Sequence, residues 1–245
     1  MSELAAVIAS IASANKKSVI SSLRQRLSRL LSRSALLAFA LGIPAAIDAG
    51  DLPPSDAEIA SVGRKYGAPA AIRVQQWRAI MASDKGTDDA RKLDLVNRFF
   101  NALPFVSDAE HWGKTDYWAT PLEFLQSNGG DCEDFAIAKY LTLRELGVPI
   151  ERLRITYVNA IALNQAHMVL AYYATPDAVP LVLDNLQPAI LPASRRSDLV
   201  PVYSFNGDSL WLARELAGRG RLVGGAGRIN LWRGLMERLQ QEKQD

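Results

Sequence analysis

Gly129-Gly130-Asp131-Cys132-Glu133-Asp134-Phe135-Ala136 decides how the whole chain is read. Paired glycines allow a tight turn that leaves the backbone open to a neighbour. Asp131 suits a helix N-cap, and Glu133 and Asp134 then fall in a first helical turn, where negative side chains complement the dipole. Phe135 to Leu146 reads as helix, with Gly147 at the C-terminal cap and Pro149 as a stop. Cys132, the one cysteine of the chain, is thereby set at a helix N-terminus, where the dipole favours a thiolate. Most free cysteines are small buried hydrophobes. Three acids and two glycines are not an apolar setting, however.

Downstream, the hydrophobic period changes from helical to two. Strands are expected over 153–158, 166–173, 180–185 and 200–205, the last followed by the turn Asn206-Gly207-Asp208. Upstream, helical spacing covers 70–81, and Gly86-Thr87-Asp88-Asp89 caps an amphipathic helix carrying Leu93, Val96, Phe99, Phe100 and Leu103. The aromatic-rich stretch 104–121 is expected to be irregular, with His111 as a surface or packing residue. Thr120-Pro121-Leu122-Glu123 combines capping-box spacing with proline at the first helical position. A helix is also expected over 229–241. Helices first and an antiparallel sheet after them make the class α+β.

With 245 residues, 49% of them hydrophobic, the chain has the size of one domain with an extension. The boundary falls at 1–49 and 50–245. Lys16, Lys17, Arg24, Arg26, Arg29 and Arg33 stand against Glu3 and Asp48 in the first part. Removing these from the chain's 28 basic and 26 acidic residues leaves 22 and 24, so the larger part carries no basic surplus for nucleic acid. One cysteine excludes an intramolecular disulfide and a multi-cysteine metal site. Four arginines leading into Ala35–Ile43, then the small residues of Pro44–Ala49, follow the order of a secretory signal. Export is therefore expected, although the basic region before the apolar run is unusually long.

Cys132, His167 and Asp184 fit one scheme. A cysteine nucleophile needs a base, and the base needs an orienting partner. Taken singly, His167 among apolar neighbours reads as a core histidine and Asp184 before Asn185 as a strand-end turn residue. On adjacent antiparallel strands, the two can face each other and meet the helix that presents the thiol.

Trp118-Ala119-Thr120-Pro121-Leu122-Glu123, the Gly129–Asp134 block, Ala166-His167-Met168-Val169 and Val182-Leu183-Asp184-Asn185 resemble the bacterial transglutaminase-like cysteine proteinases, and among them the LapG type. The resemblance covers most of residues 50–210. It implies a papain/transglutaminase-like core, with N-terminal helices packed on an antiparallel sheet. It also implies Cys132 as nucleophile, His167 as general base and then acid, and Asp184 as orienter. A periplasmic calcium-dependent endopeptidase would follow, with the N-terminal region of a large surface adhesin as substrate. An inner-membrane cyclic-di-GMP receptor would be its inhibitory partner.

Charge points toward a cation independently. Asp131, Glu133 and Asp134 crowd negative charge around a thiol that must ionise. A helix dipole contributes about 0.3–1 kcal/mol near a surface and does not offset three carboxylates. Bound Ca²⁺ would, and the resemblance, which implies calcium ligands in this acidic block, points to Asp131 and Glu133 first and Asp134 next. The plainer alternative is capping acids exposed to water. Two other functions share the same residues: transglutaminase-type acyl transfer to an amine, and a non-catalytic binding module. Retention of residues 1–49 would instead indicate a cytosolic enzyme.

Overall fold

Capping chemistry fixes where the helices begin. The structure, a computed structural model, describes residues 52–83, 85–212 and 220–243, and the leader expected over 1–49 lies outside them. Helix α1 (Asp56–Tyr66) opens on a capping box: the Glu58 amide donates to Ser55 Oγ (3.2 Å) and the Ser55 amide to Glu58 Oε2 (2.6 Å). After Gly67 comes α2 (Ala68–Ser83). Helix α3 (Asp89–Asn101) starts at Asp88, whose Oδ1 accepts from the Arg91 amide (2.8 Å). One helical turn, α4 (Asp108–His111), forms inside the stretch expected to be irregular, because Ser107 caps it. The box Thr120–Glu123, with Pro121 at the first position, starts α5 (Pro121–Ser127) as anticipated.

The central element is α6 (Cys132–Glu145), whose residues 134–143 are buried without a break. A helix enclosed on every side belongs to the interior. Helices α3 and α5 pack against it, and strands of the sheet cover another face. Trp77 of α2 is tied to it by an indole N–H donated to Thr142 Oγ1 (2.8 Å). Its end is a Schellman motif: the Gly147 amide reaches Arg144 O (2.9 Å), the Val148 amide reaches Leu143 O (3.0 Å), and Gly147 has φ +83°. Burial of side chains such as Trp77, Phe100, Phe124 and Leu143 stabilises by about 1.5–3 kcal/mol each.

The sheet consists of β1 (Leu153–Ala160), β2 (Gln165–Tyr172), β3 (Leu181–Leu183), β4 (Leu191–Pro192), β5 (Leu199–Phe205), β6 (Leu210–Leu212) and β7 (Arg221–Gly224). Its spatial order is β4-β3-β2-β1-β5-β6-β7, with neighbours antiparallel throughout. The α+β class read from the sequence holds. Helix α7 (Asn230–Glu242) returns to the core, where Trp232 lies edge-on to Tyr140 (5.9 Å) and Phe205 (5.3 Å). For function, one pairing matters most. β2 pairs with β3 through Leu170 and Leu183, so extending the register one step sets Asp184 opposite Val169, diagonal to His167.

Candidate active site

The double glycine fits because no side chain would. At Gly129, with φ +135°, a Cβ would lie 2.5 Å from Pro104 O. At Gly130 it would overlap the Asp134 carboxylate. The Val106 amide donates to Gly130 O (2.9 Å), holding the turn against the preceding segment. Cys132 is thus delivered as the first residue of α6. The backbone amide of Met168, the residue after His167 on β2, lies near enough to the Cys132 sulfur to favour the thiolate. The thiol in turn donates to Glu133 Oε2 (2.9 Å). Burial, and then the charges of Glu133 and Asp131, hold the thiol well above its usual pKa, while the Met168 amide opposes them.

His167 and Asp184 are both buried, and His167 Nε2 lies 2.8 Å from Asp184 Oδ1. Burial pushes Asp184 upward, but hydrogen bonds from His167, the Leu186 amide and Arg196 bring it down to about 2. Facing an ionised carboxylate, Nε2 carries the ring proton and Nδ1 keeps its lone pair. Asp184 Oδ1 also accepts from the Leu186 amide (3.0 Å), and Oδ2 accepts from Arg196 Nη2 (2.7 Å). The backbone here is fastened by α3: Asn101 Nδ2 donates to Asp184 O (2.8 Å) and Asn97 Nδ2 to Pro188 O (2.9 Å).

Beside the thiol lies an acidic cluster. Ligand atoms of Asp131, Cys132 and Glu133, of Asp108, Asp131 and Asp134, and of Asp108, Asp116 and Glu133 fall in three groups, each within 4.8 Å. Asp108, Asp116 and Asp131 each bury one Oδ1 that has no hydrogen-bond partner among the described residues. Burial first, then neighbouring acids, raises Asp131 to about 10. Asp116 is raised to about 6 by burial and by Glu133 and Asp108. Burial likewise takes Asp108 to about 6 against the pull of the Tyr117 amide. Unpartnered hard oxygens at this density suit an oxygen-preferring cation. Asp134, a member of the second group, also braces the turn: Oδ1 accepts from the Ala119 amide (2.7 Å) and Oδ2 from the Asp131 amide (3.3 Å).

The segment bearing Asp116 is seated by α7. Arg238 donates to Trp118 O and stands 4.5 Å over the Tyr117 ring, and Thr120 Oγ1 donates to Glu242 Oε1 (2.5 Å).

The structure therefore brings Asp131, Cys132, Glu133 and Asp134 together, with His167 and Asp184 joined as a pair beside them. His111 stacks on Trp112 (4.6 Å) and, among the described residues, enters none of these acidic groups, matching its reading as a packing residue. Sequence reasoning missed Asp108, Asp116 and Arg196. The first two are scattered acids in an aromatic loop, and Ser107, which caps Asp108, was the one local signal. Arg196 reads as a surface basic residue beside Arg195, and only the fold shows its guanidinium buried against Asp184.

A thiol at a helix start, an imidazole on the neighbouring strand and a buried carboxylate behind it belong to thiol hydrolases of the papain/transglutaminase build. The family model described as "Bacterial transglutaminase-like cysteine proteinase BTLCP" matches residues 72–201, and the chain belongs to that family: it is a cysteine protease. Among solved structures, EGTA-treated LapG of Legionella pneumophila is 43% identical, with 76% of this chain and 97% of that chain covered and a TM-score of 0.67. The calcium-bound form of the same protein is 42% identical over 76% of this chain and 99% of that chain, with a TM-score of 0.65. No curated protein sequence matches the chain.

Proposed function

We propose that this protein is a calcium-dependent periplasmic endopeptidase that cuts the N-terminal region of a large surface adhesin and so controls attachment. The observation that carries the chemistry is the His167 Nε2–Asp184 Oδ1 bond on the strand whose next amide, that of Met168, favours the thiolate of Cys132. Nδ1 of His167 takes the Cys132 proton, and the sulfur attacks a peptide carbonyl to form a C–S bond. Backbone amides around Cys132 stabilise the oxyanion. The imidazolium, its charge balanced by Asp184, returns the proton to the leaving amine as the C–N bond breaks. Water activated by the same ring then releases the acid and restores the thiol.

Asp131, Glu133, Asp108 and Asp116 would hold the cation, with Asp134, which also braces the turn, as a further ligand. Bound there, Ca²⁺ supplies charge that quiets the cluster around the thiol. Glu133 is the pivotal ligand, because its carboxylate otherwise accepts a hydrogen bond from the thiol and so keeps it protonated. Calcium-bound and EGTA-treated forms of the Legionella protein support the choice of calcium as the cation. Export rests on the arginine-led apolar segment before residue 50. The inhibitory partner, an inner-membrane cyclic-di-GMP receptor, rests on the family resemblance.

The test is incubation with an adhesin N-terminal fragment, with calcium or with a chelator, beside Cys132→Ala. Cleavage by the native protein in calcium alone is expected. Cleavage that survives the chelator removes the metal, and cleavage by Cys132→Ala removes the nucleophile.

A further inference from the structure

We propose that Arg196 is a positioning residue of the reaction: it fixes the carboxylate plane of Asp184 and, through it, the imidazole of His167. The inference rests on the reading of His167 and Asp184 as the catalytic pair.

An aspartate's terminal torsion is broad and roughly two-fold, so a carboxylate held on one side can tilt or exchange its oxygens. Asp184 is held on both. Oδ1 serves His167 and the Leu186 amide, and among the described residues the partner of Oδ2 is Arg196 Nη2 at 2.7 Å. Arg196 is itself anchored outward: Nε lies 3.0 Å from Asp198 Oδ1 and Nη2 lies 2.8 Å from Asp198 Oδ2. This two-point grip on a carboxylate suits the rigid guanidinium fork. Asp198 is tied to the end of β1, because the Ile161 amide donates to its carbonyl (2.8 Å). A continuous chain of contacts therefore runs from the sheet through Asp198 and Arg196 to Asp184 and His167.

Lys139 of α6 is 1% exposed and feels the charge of Asp184, but burial lowers it to about 7, and among the described residues its Nζ has no hydrogen-bond partner. Directed hydrogen bonding to Oδ2 comes from Arg196. Truncating Arg196 would leave Oδ2 a buried anionic oxygen short of a donor, and the carboxylate would turn to seek one.

Because the chain has a single cysteine, its alkylation by iodoacetamide reads one thiol without any substrate. The experiment compares wild type, His167→Ala, Arg196→Gln and Arg196→Lys, with calcium chloride present throughout. It also follows the His167 Nε2–H proton by NMR; the chain has only two histidines to assign. Expected for both Arg196 variants are alkylation slowed about ten- to a hundredfold, as for other lost orienting partners, and loss or broadening of the Nε2–H signal. Arg196→Lys keeps the charge, so a defect shared with Arg196→Gln assigns the effect to geometry. Guanidinium added to Arg196→Ala is expected to restore part of the rate. Folded Arg196 variants with wild-type rate and an intact Nε2–H signal overturn the proposal alone. A wild-type rate in His167→Ala overturns the catalytic pair itself.

Discussion

Calcium binding should expel protons, and the number can be worked from the acids that would receive the ion. Asp131 stands at about 10, so at pH 7 it is protonated in the cation-free protein. Asp108 and Asp116 stand at about 6, which leaves about a tenth of each protonated at pH 7 and about nine-tenths at pH 5. A cation that needs all three as anions displaces about one proton at pH 7 and about three at pH 5. Summed across that interval, affinity should fall about ten-thousandfold on acidification from pH 7 to pH 5, a hundredfold from Asp131 and tenfold from each of the others. Titration calorimetry at pH 7 in PIPES and in Tris tests this directly. The two heats should differ by about the difference between the two buffers' ionisation enthalpies per calcium bound. Tight binding with identical heats would refute the reasoning, because the cluster would then already be ionised without the ion.

Other consequences follow from the same packing. Burial lowers Lys139 from 10.5 to about 7, against the pull of Asp184. The unfolded chain then binds the proton more readily, so stability is lost as pH falls from about 10.5 to 7 and stays low below that. Lys139→Met should raise unfolding free energy by about 3–5 kcal/mol at pH 7 in denaturant titrations, and the gain should vanish near pH 10.5. Thr142→Val removes the acceptor of the buried Trp77 indole N–H and should cost about 1–3 kcal/mol in the same assay. Gly130→Ala drives a methyl into the Asp134 carboxylate, and should lower both melting temperature and calcium affinity. Unchanged calcium affinity in a folded Gly130→Ala protein would detach the turn from the metal site.

The catalytic helix was legible because its signals are local: a double glycine, a capping acid, an apolar run and a glycine stop, all within nineteen residues of chain from Gly129 to Gly147. The strands β1, β2, β3 and β5 showed period-two or continuous apolar runs. Three others did not show. β4 has two residues, β6 three and β7 four, too few for any period, and they exist because neighbouring edges pair with them. The His167–Asp184 partnership was readable from strand order, since a short connection between antiparallel strands brings those positions together. The remaining acids and Arg196 were not readable. Asp108 and Asp116 join Asp131 and Glu133 only after the aromatic loop folds back over the start of α6. A lone basic residue in a loop carries no mark of the buried anion it will meet.

The grip of α7 on the loop that bears Asp116 has a consequence for how the enzyme can be divided. Arg238 and Glu242 lie beyond the stretch 72–201 that the family shares. A shortened chain ending at that border would contain sulfur, ring and carboxylate in full, yet leave Tyr117, Trp118 and Thr120 without their far-end support. Such a fragment would be complete in its reactive groups and incomplete in the architecture that presents them.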